Sequence, residues 1–210
     1  MQNNKGKFIV IDGTDGSGKA TQAGLLAEKI KKENFSVELA DFPQYGQKSA
    51  GLIEEYLNGK YGTAADVGPY RGSIFYACDR YDASFKIKKW LNEDKIVVSN
   101  RYVTANMAHQ GGKIKNAEDR KKYFNWLNDL EYEIFNIPKP DINIILHVDA
   151  AIAQKLVDKL KRAGFNAYVS EKEGQPDFYR VRAGKFKTSG ESRICKEALE
   201  KKGYKAKLCP

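Results

Sequence analysis

Long apolar runs are absent from this 210-residue chain. A membrane-spanning helix needs roughly 18 or more consecutive apolar residues, and no stretch reaches that length. The opening residues, MQNNKGK, also lack the apolar core of a secretory signal peptide. We therefore expect a cytoplasmic protein that makes no contact with membranes.

Cysteine is scarce as well. Cys78, Cys195 and Cys209 are odd in number, and no two of them have the CxxC spacing. This pattern predicts free thiols in a reducing compartment, and it argues against a disulfide framework or a cysteine-bound metal.

The net charge of +9 is unevenly distributed. Residues 1–150 are almost neutral, whereas residues 151–210 contain 15 lysine and arginine residues against 7 acidic residues. Such a basic segment is either a solvated surface or a contact surface for a polyanion or a phosphate-bearing ligand, and both interpretations remain open. With 41% hydrophobic residues, the chain can bury the core of one α/β domain, with or without a small appendage.

One hydroxyl is missing from the stretch IDGTDGSGKATQ, Ile11 to Gln22. The usual phosphate-binding pattern is G-x-x-x-x-G-K followed by Ser or Thr, but here Ala20 follows the lysine and Thr21 comes one position late. One step along a helix turns a side chain by about 100°, so Thr21 cannot simply replace the missing hydroxyl. We expect magnesium to be held through phosphates and water, with no certain protein ligand, and nucleotide binding to persist.

The same stretch has the other parts of an anion site. FIVI, residues 8–11, predicts a buried parallel strand, and a helical pattern follows from Gly18. Curled backbone N–H groups, the positive end of the helix and the Lys19 ammonium would all face a phosphate. The alternative is an ordinary tight turn between a strand and a helix. The predicted ATP-binding residues are Gly13, Thr14, Asp15, Gly16, Ser17, Gly18, Lys19, Ala20 and Thr21.

Apolar runs alternate with helical patterns through the first 149 residues. Predicted strands cover residues 8–11, 37–40, 95–99 and 141–148. Predicted helices start at residue 18 and cover residues 50–57, 70–92 and 117–135, and residues 58–69 are predicted to be irregular. In the last helix, Asn116 is the predicted N-cap, and Phe124, Leu127 and Ile134 are predicted to face inward. The alternation predicts an α/β fold with a mostly parallel sheet flanked by helices.

Five segments give the chain a family resemblance. They are IDGTDGSGKATQ, FPQYGQKSAGLIEEYLNGKYG, GPYRGSIFYACDRYDAS, SNRYVTANMAHQGGK and PDINIILHVD, and together they span residues 7–149. In order and spacing they resemble the thymidylate kinase family of nucleoside monophosphate kinases. The resemblance implies a P-loop kinase-type sheet and transfer of a phosphoryl group from ATP to dTMP with Mg²⁺. Such transfer depends on alignment and charge neutralisation more than on a general base.

The resemblance also implies roles for individual residues. Lys19 and the loop backbone would hold the ATP phosphates, and Arg101 would bridge the phosphates of the two substrates. Asp15 would repel phosphate, and it fits better against the 3′-hydroxyl of dTMP. The resemblance implies four further contacts with dTMP. Phe42 would border the nucleotide, and Arg101 would bind its phosphate. Asn106 and Gln110 would contact its base and sugar.

Two residues of the segment YACDR are implied to recognise the base. Tyr76 would stack on thymine, and Arg80 would read its carbonyl edge. Their spacing of four places both on one helix face, which favours a shared pocket. For each residue alone an alternative stays open: core packing for Tyr76, and a surface ion pair with Asp79 or Asp82 for Arg80.

Three features depart from the family pattern. Ala20 is the first. Asn100 is the second, because the family has an aspartate there near the metal, and asparagine keeps a carbonyl oxygen but loses the charge. The third is the absence of a recognisable lid, which would place an arginine over ATP. Arg162 is the nearest candidate for the third catalytic cation, and Arg180 and Arg182 are weaker candidates.

The tail contains an internal repeat. LKRAGFNAYV, residues 160–169, matches LEKKGYKAKL, residues 199–208, at an offset of 39 residues. With FYRVRAG and a predicted helix over residues 189–201, the copies predict a βαββαβ unit over residues 142–210 that resembles a SPOR domain, a small module associated with bacterial septal peptidoglycan. We therefore predict a thymidylate kinase-like domain over residues 1–149 and a basic SPOR-like portion over residues 150–210. The predicted strand 141–148 would belong to both modules.

Two functions remain open at this point. The first is a thymidylate kinase that uses ATP and Mg²⁺ to convert dTMP to dTDP. The second is a catalytically weakened nucleotide-binding protein whose basic tail binds glycan or another partner. A homodimer is expected from the family resemblance alone, and no nucleic acid partner is expected.

Overall fold

The computed structural model describes residues 6–14, 17–147, 150–172, 175–186, 188–204 and 206. The chain divides into two compact units, Met1–His147 and Val148–Pro210. Among the helices of the described residues, none combines the length and the apolar character needed to cross a bilayer. Cys78 and Cys195 are free thiols, as predicted, and Cys209 lies outside the described residues.

The first unit alternates strands and helices around one parallel sheet. Its strands are β1 (Phe8–Gly13), β2 (Val37–Asp41), β3 (Ile96–Asn100) and β4 (Ile142–Leu146). Its helices are α1 (Lys19–Lys32), α2 (Gly51–Leu57), α3 (Ala64–Asn92), α4 (Val103–Gly111) and α5 (Ala117–Asn128), with a 3₁₀ turn at Lys48–Ala50 and a π-helical turn at Asp129–Ile134. The predicted α/β fold with a parallel sheet between helices is confirmed.

The sheet order is β2-β3-β1-β4, and every pair is parallel. The carboxyl ends of all four strands therefore meet at one edge, where open α/β sheets bind ligands. Asn100 ends β3 and pairs with Ile11 of β1 on one side and with Asp41 of β2 on the other. The sheet thus brings the end of β1, the loop that follows it and the end of β3 together.

Packing on both faces of the sheet fixes these strand ends. On one face, Phe8 is fully buried and meets Tyr102 edge to face, with ring centroids 4.9 Å apart. On the other face, Ile11 packs against Ala23 and Ala27 of α1. Burial of these apolar side chains holds the start of α1 beneath the end of β1, which sets the position of the connecting loop.

Helix α3 begins earlier than the sequence indicated. Residues 58–69 were expected to be irregular, but the helix starts at Ala64 behind a capping box in which Thr63 and Asp66 satisfy each other's backbone N–H groups. Gly68 interrupts it with φ 72° and ψ 169°, and Pro69 follows. The prediction of an irregular segment was therefore wrong from Ala64 onwards, and Gly68 and Pro69 mark a kink between two helical segments.

The segment after α5 departs from an ordinary helix. Asn116 is the N-cap, as predicted, and its side chain accepts a hydrogen bond from Asp119 N–H at 3.0 Å. The inward position of Ile134 was wrong, because its side chain is 72% exposed. Phe135 N–H donates to the carbonyl of Leu130, five residues back, and this wider π-helical turn rotates Glu131 into the core instead.

The second unit has the order α6 (Ala150–Arg162), β5 (Ala167–Lys172), β6 (Gln175–Ala183) and α7 (Ser189–Lys201). β5 and β6 form an antiparallel pair of their own. Both helices end before a glycine with positive φ, Gly164 at 90° and Gly203 at 82°, as the repeat predicted. The strand predicted to be shared, β4, pairs with β1 in the first unit. The predicted final strand of the repeat falls largely on residues outside the described chain.

Candidate active site

The loop after β1 needs glycine at both of its ends. Gly13 has φ 148°, and a Cβ atom there would overlap the carbonyl oxygen of Leu146 on β4. Gly18, the N-cap of α1, has φ 85°. Only glycine allows the first close approach and takes the second conformation without strain, so the loop turns sharply into the helix. Asp15 and Gly16, both predicted site residues, lie outside the described residues.

Lys19 is held against this loop. Its side chain is only 5% exposed, and its ammonium donates a hydrogen bond to the carbonyl of Thr14 at 2.6 Å. The hydroxyl of Ser17 is buried and has no hydrogen-bond partner among the described residues. Ala20 is exposed and Thr21 is half-buried, so the two positions lie on different sides of the helix, as expected from the helical turn.

Asp12 places a carboxylate beside the loop. It is 4% exposed, and its Oδ2 accepts a hydrogen bond from the Thr104 hydroxyl of α4. Its Oδ1 is buried without a hydrogen-bond partner in the described part of the chain. Burial raises the pKa of Asp12, and Thr104, Arg101 and Lys19 counteract this only in part. Both predicted catalytic cations of the first unit therefore act electrostatically on the same carboxylate.

Arg101 is fixed by its backbone directly after β3. It has φ 69°, which is unusual for a residue with a side chain. Its N–H donates to the carbonyl of Ile11 at 3.0 Å, and its carbonyl accepts from the Ser99 hydroxyl at 2.7 Å. Its guanidinium lies 3.3 Å from Nε2 of His109. A strained backbone held by such bonds is typical of functional sites, where a side chain must be aimed.

Asn100 sits between β1 and β2 at the same edge. Its Nδ2 donates to Oδ1 of Asp41 at 2.7 Å. Its Oδ1 is buried, and the described residues supply no partner for it. Asparagine at position 100 is the departure from the pattern that the family resemblance implies. In this structure its amide is bound by the Asp41 carboxylate of the neighbouring strand.

The two predicted base-recognition residues have different surroundings. Tyr76 is half-buried, and burial and the nearby Tyr45 and Tyr56 raise the pKa of its phenol, while Arg101 and Arg80 lower it. Core packing, the alternative for Tyr76, would bury the whole side chain, but part of it is exposed to solvent.

Arg80 is almost completely buried. It is 3% exposed and makes a buried ion pair with Glu131 from the π-helical turn. The alternative of a surface ion pair with Asp79 or Asp82 was wrong. Asp79 instead accepts hydrogen bonds from the backbone and side chain of Gln44. The dTMP-binding role of Arg80 stays a prediction.

Phe42 belongs to the core of the first unit. It is 4% exposed and lies against Tyr102, with ring centroids 5.6 Å apart. Its N–H donates to the carbonyl of Asn100 at 3.1 Å, which holds the end of β2 beside β3. A role at the border of the acceptor nucleotide stays a prediction for this residue.

Asn106 and Gln110 lie one turn apart on α4, which the sequence did not predict as a helix. Asn106 is 4% exposed, its Nδ2 donates to the carbonyl of Ser73 at 3.2 Å, and its Oδ1 is buried without a partner in the described chain. Gln110 is 3% exposed, and its Oε1 accepts from Lys113 at 2.6 Å. Both side chains are therefore enclosed by protein and not by solvent.

The third predicted catalytic cation is in the second unit. Arg162 ends α6 and is exposed. Of the weaker candidates, Arg182 is half-buried with an Nε that has no partner among the described residues, and the side chain of Arg180 lies outside the described part. The assignment of a lid arginine stays a prediction.

The oxygens at the sheet edge suit a hard cation. Asp12 Oδ1 and Asn100 Oδ1 are both buried and lack a partner among the described residues, and oxygen is the ligand that Mg²⁺ prefers. In the described residues, no group of three or more His, Cys, Asp or Glu side chains could hold a metal ion alone. The donor set therefore fits a magnesium ion held largely by phosphates and water.

Sequence reasoning missed two residues of this site, Thr104 and His109. It named Asp12 only as negative charge near Asn100 and not as a site residue, although Asp12 directly follows the buried run FIVI and must lie at the carboxyl end of β1. Thr104 and His109 lie in the segment RYVTANMAHQ, but their proximity to Asp12 and Arg101 depends on how α4 packs.

A sequence model described as Thymidylate kinase matches residues 11–204 of this chain. The chain belongs to the thymidylate kinase family. The thymidylate kinase of Mycobacterium tuberculosis H37Rv is 32% identical over 148 residues, which cover 70% of this chain and 68% of the relative. A probable thymidylate kinase of Pyrobaculum aerophilum is 30% identical over 178 residues, 84% of this chain and 82% of the relative. The human thymidylate kinase is 27% identical over 155 residues, 74% of this chain and 67% of the relative.

The fold also matches a solved member of the thymidylate kinase family. The thymidylate kinase structure from Candida albicans superposes with a TM-score of 0.55 at 26% identity. The superposition covers 70% of this chain and 65% of that one, so it spans just under two thirds of the solved protein. The match of the family's sequence model reaches residue 204 and so extends through the basic second unit.

Proposed function

We propose that the protein is a thymidylate kinase that transfers the γ-phosphoryl group of ATP to dTMP and forms dTDP and ADP. The observation that carries this proposal is the arrangement at the carboxyl edge of the sheet, where the Lys19 ammonium donates to the loop carbonyl of Thr14 and the Arg101 N–H donates to the carbonyl of Ile11, next to the buried Asp12. Two phosphate-bearing substrates repel each other, and two fixed cations at one point lower that repulsion. We place the enzyme in the cytoplasm, where ATP and dTMP occur.

On the ATP side, the loop and Lys19 bind the donor phosphates. The start of α1 directs backbone N–H groups towards the loop, and the helix adds partial positive charge. The ammonium of Lys19, which donates to Thr14 in the protein alone, would exchange this carbonyl for phosphate oxygens. When bound, Mg²⁺ would neutralise phosphate charge, with Asp12 and Asn100 as the protein oxygens beside it.

On the dTMP side, we place the acceptor nucleotide against side chains of α3 and α4. Tyr76 offers a half-buried aromatic face on which a pyrimidine can stack. Asn106 presents a buried Oδ1 that has no partner among the described residues, and thymine N3–H is a donor of the right kind. Arg80 would present the nitrogen that Glu131 does not use. Arg101 then orients the acceptor phosphate towards ATP.

The activity is tested by coupled measurement of ADP formation from ATP and Mg²⁺ with dTMP, dCMP or AMP as acceptor. We expect dTMP to be turned over with the highest kcat/KM. Equal rates for all three acceptors would contradict the roles of Tyr76 and Asn106, and no turnover of any acceptor would contradict the kinase assignment.

A second candidate is a nucleotide-binding protein with weak or no kinase activity. Ala20 and Asn100 favour it, because each removes a group that usually lies near the metal. Thermal unfolding separates the two functions. If ATP raises Tm but neither ADP nor dTDP forms, the binding function is the correct one.

The basic second unit motivates a glycan-binding role within that second function. Lys159, Lys161 and Arg162 are exposed at the end of α6, and the α6-β5-β6-α7 order agrees with the central part of the predicted SPOR-like repeat. The test is retention of the full-length protein on purified peptidoglycan sacculi. A Lys161→Glu/Arg162→Glu variant with unchanged retention would exclude this surface.

We also propose that two copies pair through α3. Ile74, Tyr81 and Phe85 recur at helical spacing and are 39%, 42% and 61% exposed. Ile134, in the π-helical turn that contacts α3, is 72% exposed. This apolar stripe is what a helix-mediated homodimer of the thymidylate kinase family requires. Phe85→Glu should yield a monomer in sedimentation velocity, whereas Leu25→Glu, on the exposed side of α1, should leave the association unchanged.

A further inference from the structure

The ends of β2 and β3 are joined by a side-chain bond as well as by the backbone. Asp41 and Asn100 are register partners and the last residues of their strands. Phe42 N–H donates to the carbonyl of Asn100 at 3.1 Å, and Asn100 Nδ2 donates to Asp41 Oδ1 at 2.7 Å. Two consecutive residues at the end of β2, Asp41 and Phe42, therefore form hydrogen bonds with Asn100.

This contact determines which way the Asn100 amide faces. An ionised carboxylate only accepts hydrogen bonds, so the NH₂ group and not the carbonyl oxygen of the amide must face Asp41. The carbonyl oxygen, Oδ1, is consequently directed away from Asp41. It is buried, and no described residue donates to it. The adjacent strand end presents a second such oxygen, Asp12 Oδ1.

The pair also restores a charge. Where the family resemblance implies an aspartate at position 100, this chain has a neutral amide, and its Nδ2 lies 2.7 Å from a carboxylate oxygen of Asp41. A hydrogen bond to an ionised acceptor polarises the amide and makes its carbonyl oxygen a stronger acceptor. An aspartate at position 100 would instead set two carboxylates against each other at this distance, which is unfavourable.

We propose that Asp41 is a positioning residue of the phosphoryl-transfer site, and that Asp41 and Asn100 together replace a single carboxylate. Asp41 fixes the amide, and Asn100 Oδ1 accepts a hydrogen bond from the hydrated nucleotide complex. This inference rests on the proposed kinase function.

The test compares the wild type with Asp41→Asn, Asn100→Asp and the Asp41→Asn/Asn100→Asp exchange. Asp41→Asn removes the carboxylate that fixes the orientation of the Asn100 amide. Asn100→Asp places two carboxylates against each other at positions 41 and 100. Each substitution should lower kcat by about 10- to 100-fold, the usual effect of losing an orienting partner. The exchange should recover most of the lost activity, because the amide then at position 41 can donate to one oxygen of the carboxylate at position 100 and leave the other for the site. Glu38→Gln is the control, since Glu38 lies near the start of β2 and binds Lys95.

Thermal unfolding without ligand separates positioning from a purely structural role. Asn100→Asp should lower Tm, and the exchange should restore both Tm and kcat. Restored Tm without restored kcat, or an Asp41→Asn variant with wild-type kcat, would overturn the proposal. If the wild type forms no dTDP, the kinase function fails. The pair is then judged by ATP binding in calorimetry, where both single variants must bind more weakly than the exchange.

Discussion

The guanidinium of Arg80 and the carboxylate of Glu131 form a bidentate ion pair inside the first unit. Nε donates to Oε2 at 2.7 Å and Nη2 donates to Oε1 at 2.5 Å. The two side chains are 3% and 0% exposed, and they come from α3 and from the π-helical turn, 51 residues apart. The pair fixes the plane of the guanidinium, so Nη1 is the nitrogen left to reach a nucleotide base.

Glu131→Gln should destabilise the protein by about 3 kcal/mol, because removing one partner leaves the buried Arg80 charge uncompensated. Urea denaturation monitored by circular dichroism measures this loss. The KM for dTMP should rise more than the KM for ATP, because only the acceptor pocket loses its fixed guanidinium.

The matched control is the double variant Arg80→Met/Glu131→Met. Apolar replacement of a buried ion pair is often neutral for stability, so the double variant should be more stable than Glu131→Gln. It should still lose its preference for dTMP. Wild-type stability of Glu131→Gln would contradict the uncompensated-charge argument.

Features that depend on local sequence were predicted well. The strand before the glycine loop follows from a short buried apolar run, and the start of α1 follows from Gly18 and the helical pattern behind it. The helix predicted over residues 189–201 has those bounds in the structure. Local chemistry also fixes the N-cap at Asn116, because an asparagine side chain binds a free N–H group in the first turn.

Features that depend on tertiary packing were not predicted. The burial of Glu131 follows from a π-helical turn, and a charged residue in an apparently regular helix gives no sign of one. Helix α4 contains Thr104, Asn106 and His109, and contacts with α3 and α5 set its position. The partners Thr104 of Asp12 and Asp41 of Asn100 each come from another element.

Gly13→Ala should destabilise the protein by about 1–3 kcal/mol, since the new Cβ has no room against the backbone of β4 and overpacking carries costs of this size. Calorimetric titration should also show weaker ATP binding, because the loop must move to relieve the clash. Gly24→Ala is the control within α1, where a Cβ meets nothing within 4 Å. It should stabilise the protein by about 0.5–1 kcal/mol through helix propensity. Equal effects of the two substitutions would refute the close approach of β1 and β4.

Asp12→Asn should stabilise the protein in the absence of nucleotide and metal. The folded-state pKa of Asp12 is raised above 3.8, mainly by burial, so the native state holds this proton more tightly than the unfolded chain. The contribution of Asp12 to the free energy of unfolding of the wild type therefore falls as pH rises from 3.8 through the folded-state pKa. The Tm difference, variant minus wild type, should grow across that interval and stay constant above it. A difference that shrinks with rising pH would mean that the cations, not burial, dominate the site.

Lys19→Met should lower kcat by at least about 10²- to 10³-fold, the range for losing one fixed contact to developing charge. The methionine keeps the buried aliphatic stem of Lys19 but removes the ammonium that donates to the loop carbonyl of Thr14. Stability should change little, so circular dichroism and Tm must match the wild type before the kinetics are interpreted. Lys29→Met, on the exposed side of the same helix, provides the control and should retain wild-type kcat. If Lys19→Met turned over dTMP at the wild-type rate, the ammonium held on the loop would have no part in phosphoryl transfer, because methionine leaves no charge there to stabilise the transferring phosphate.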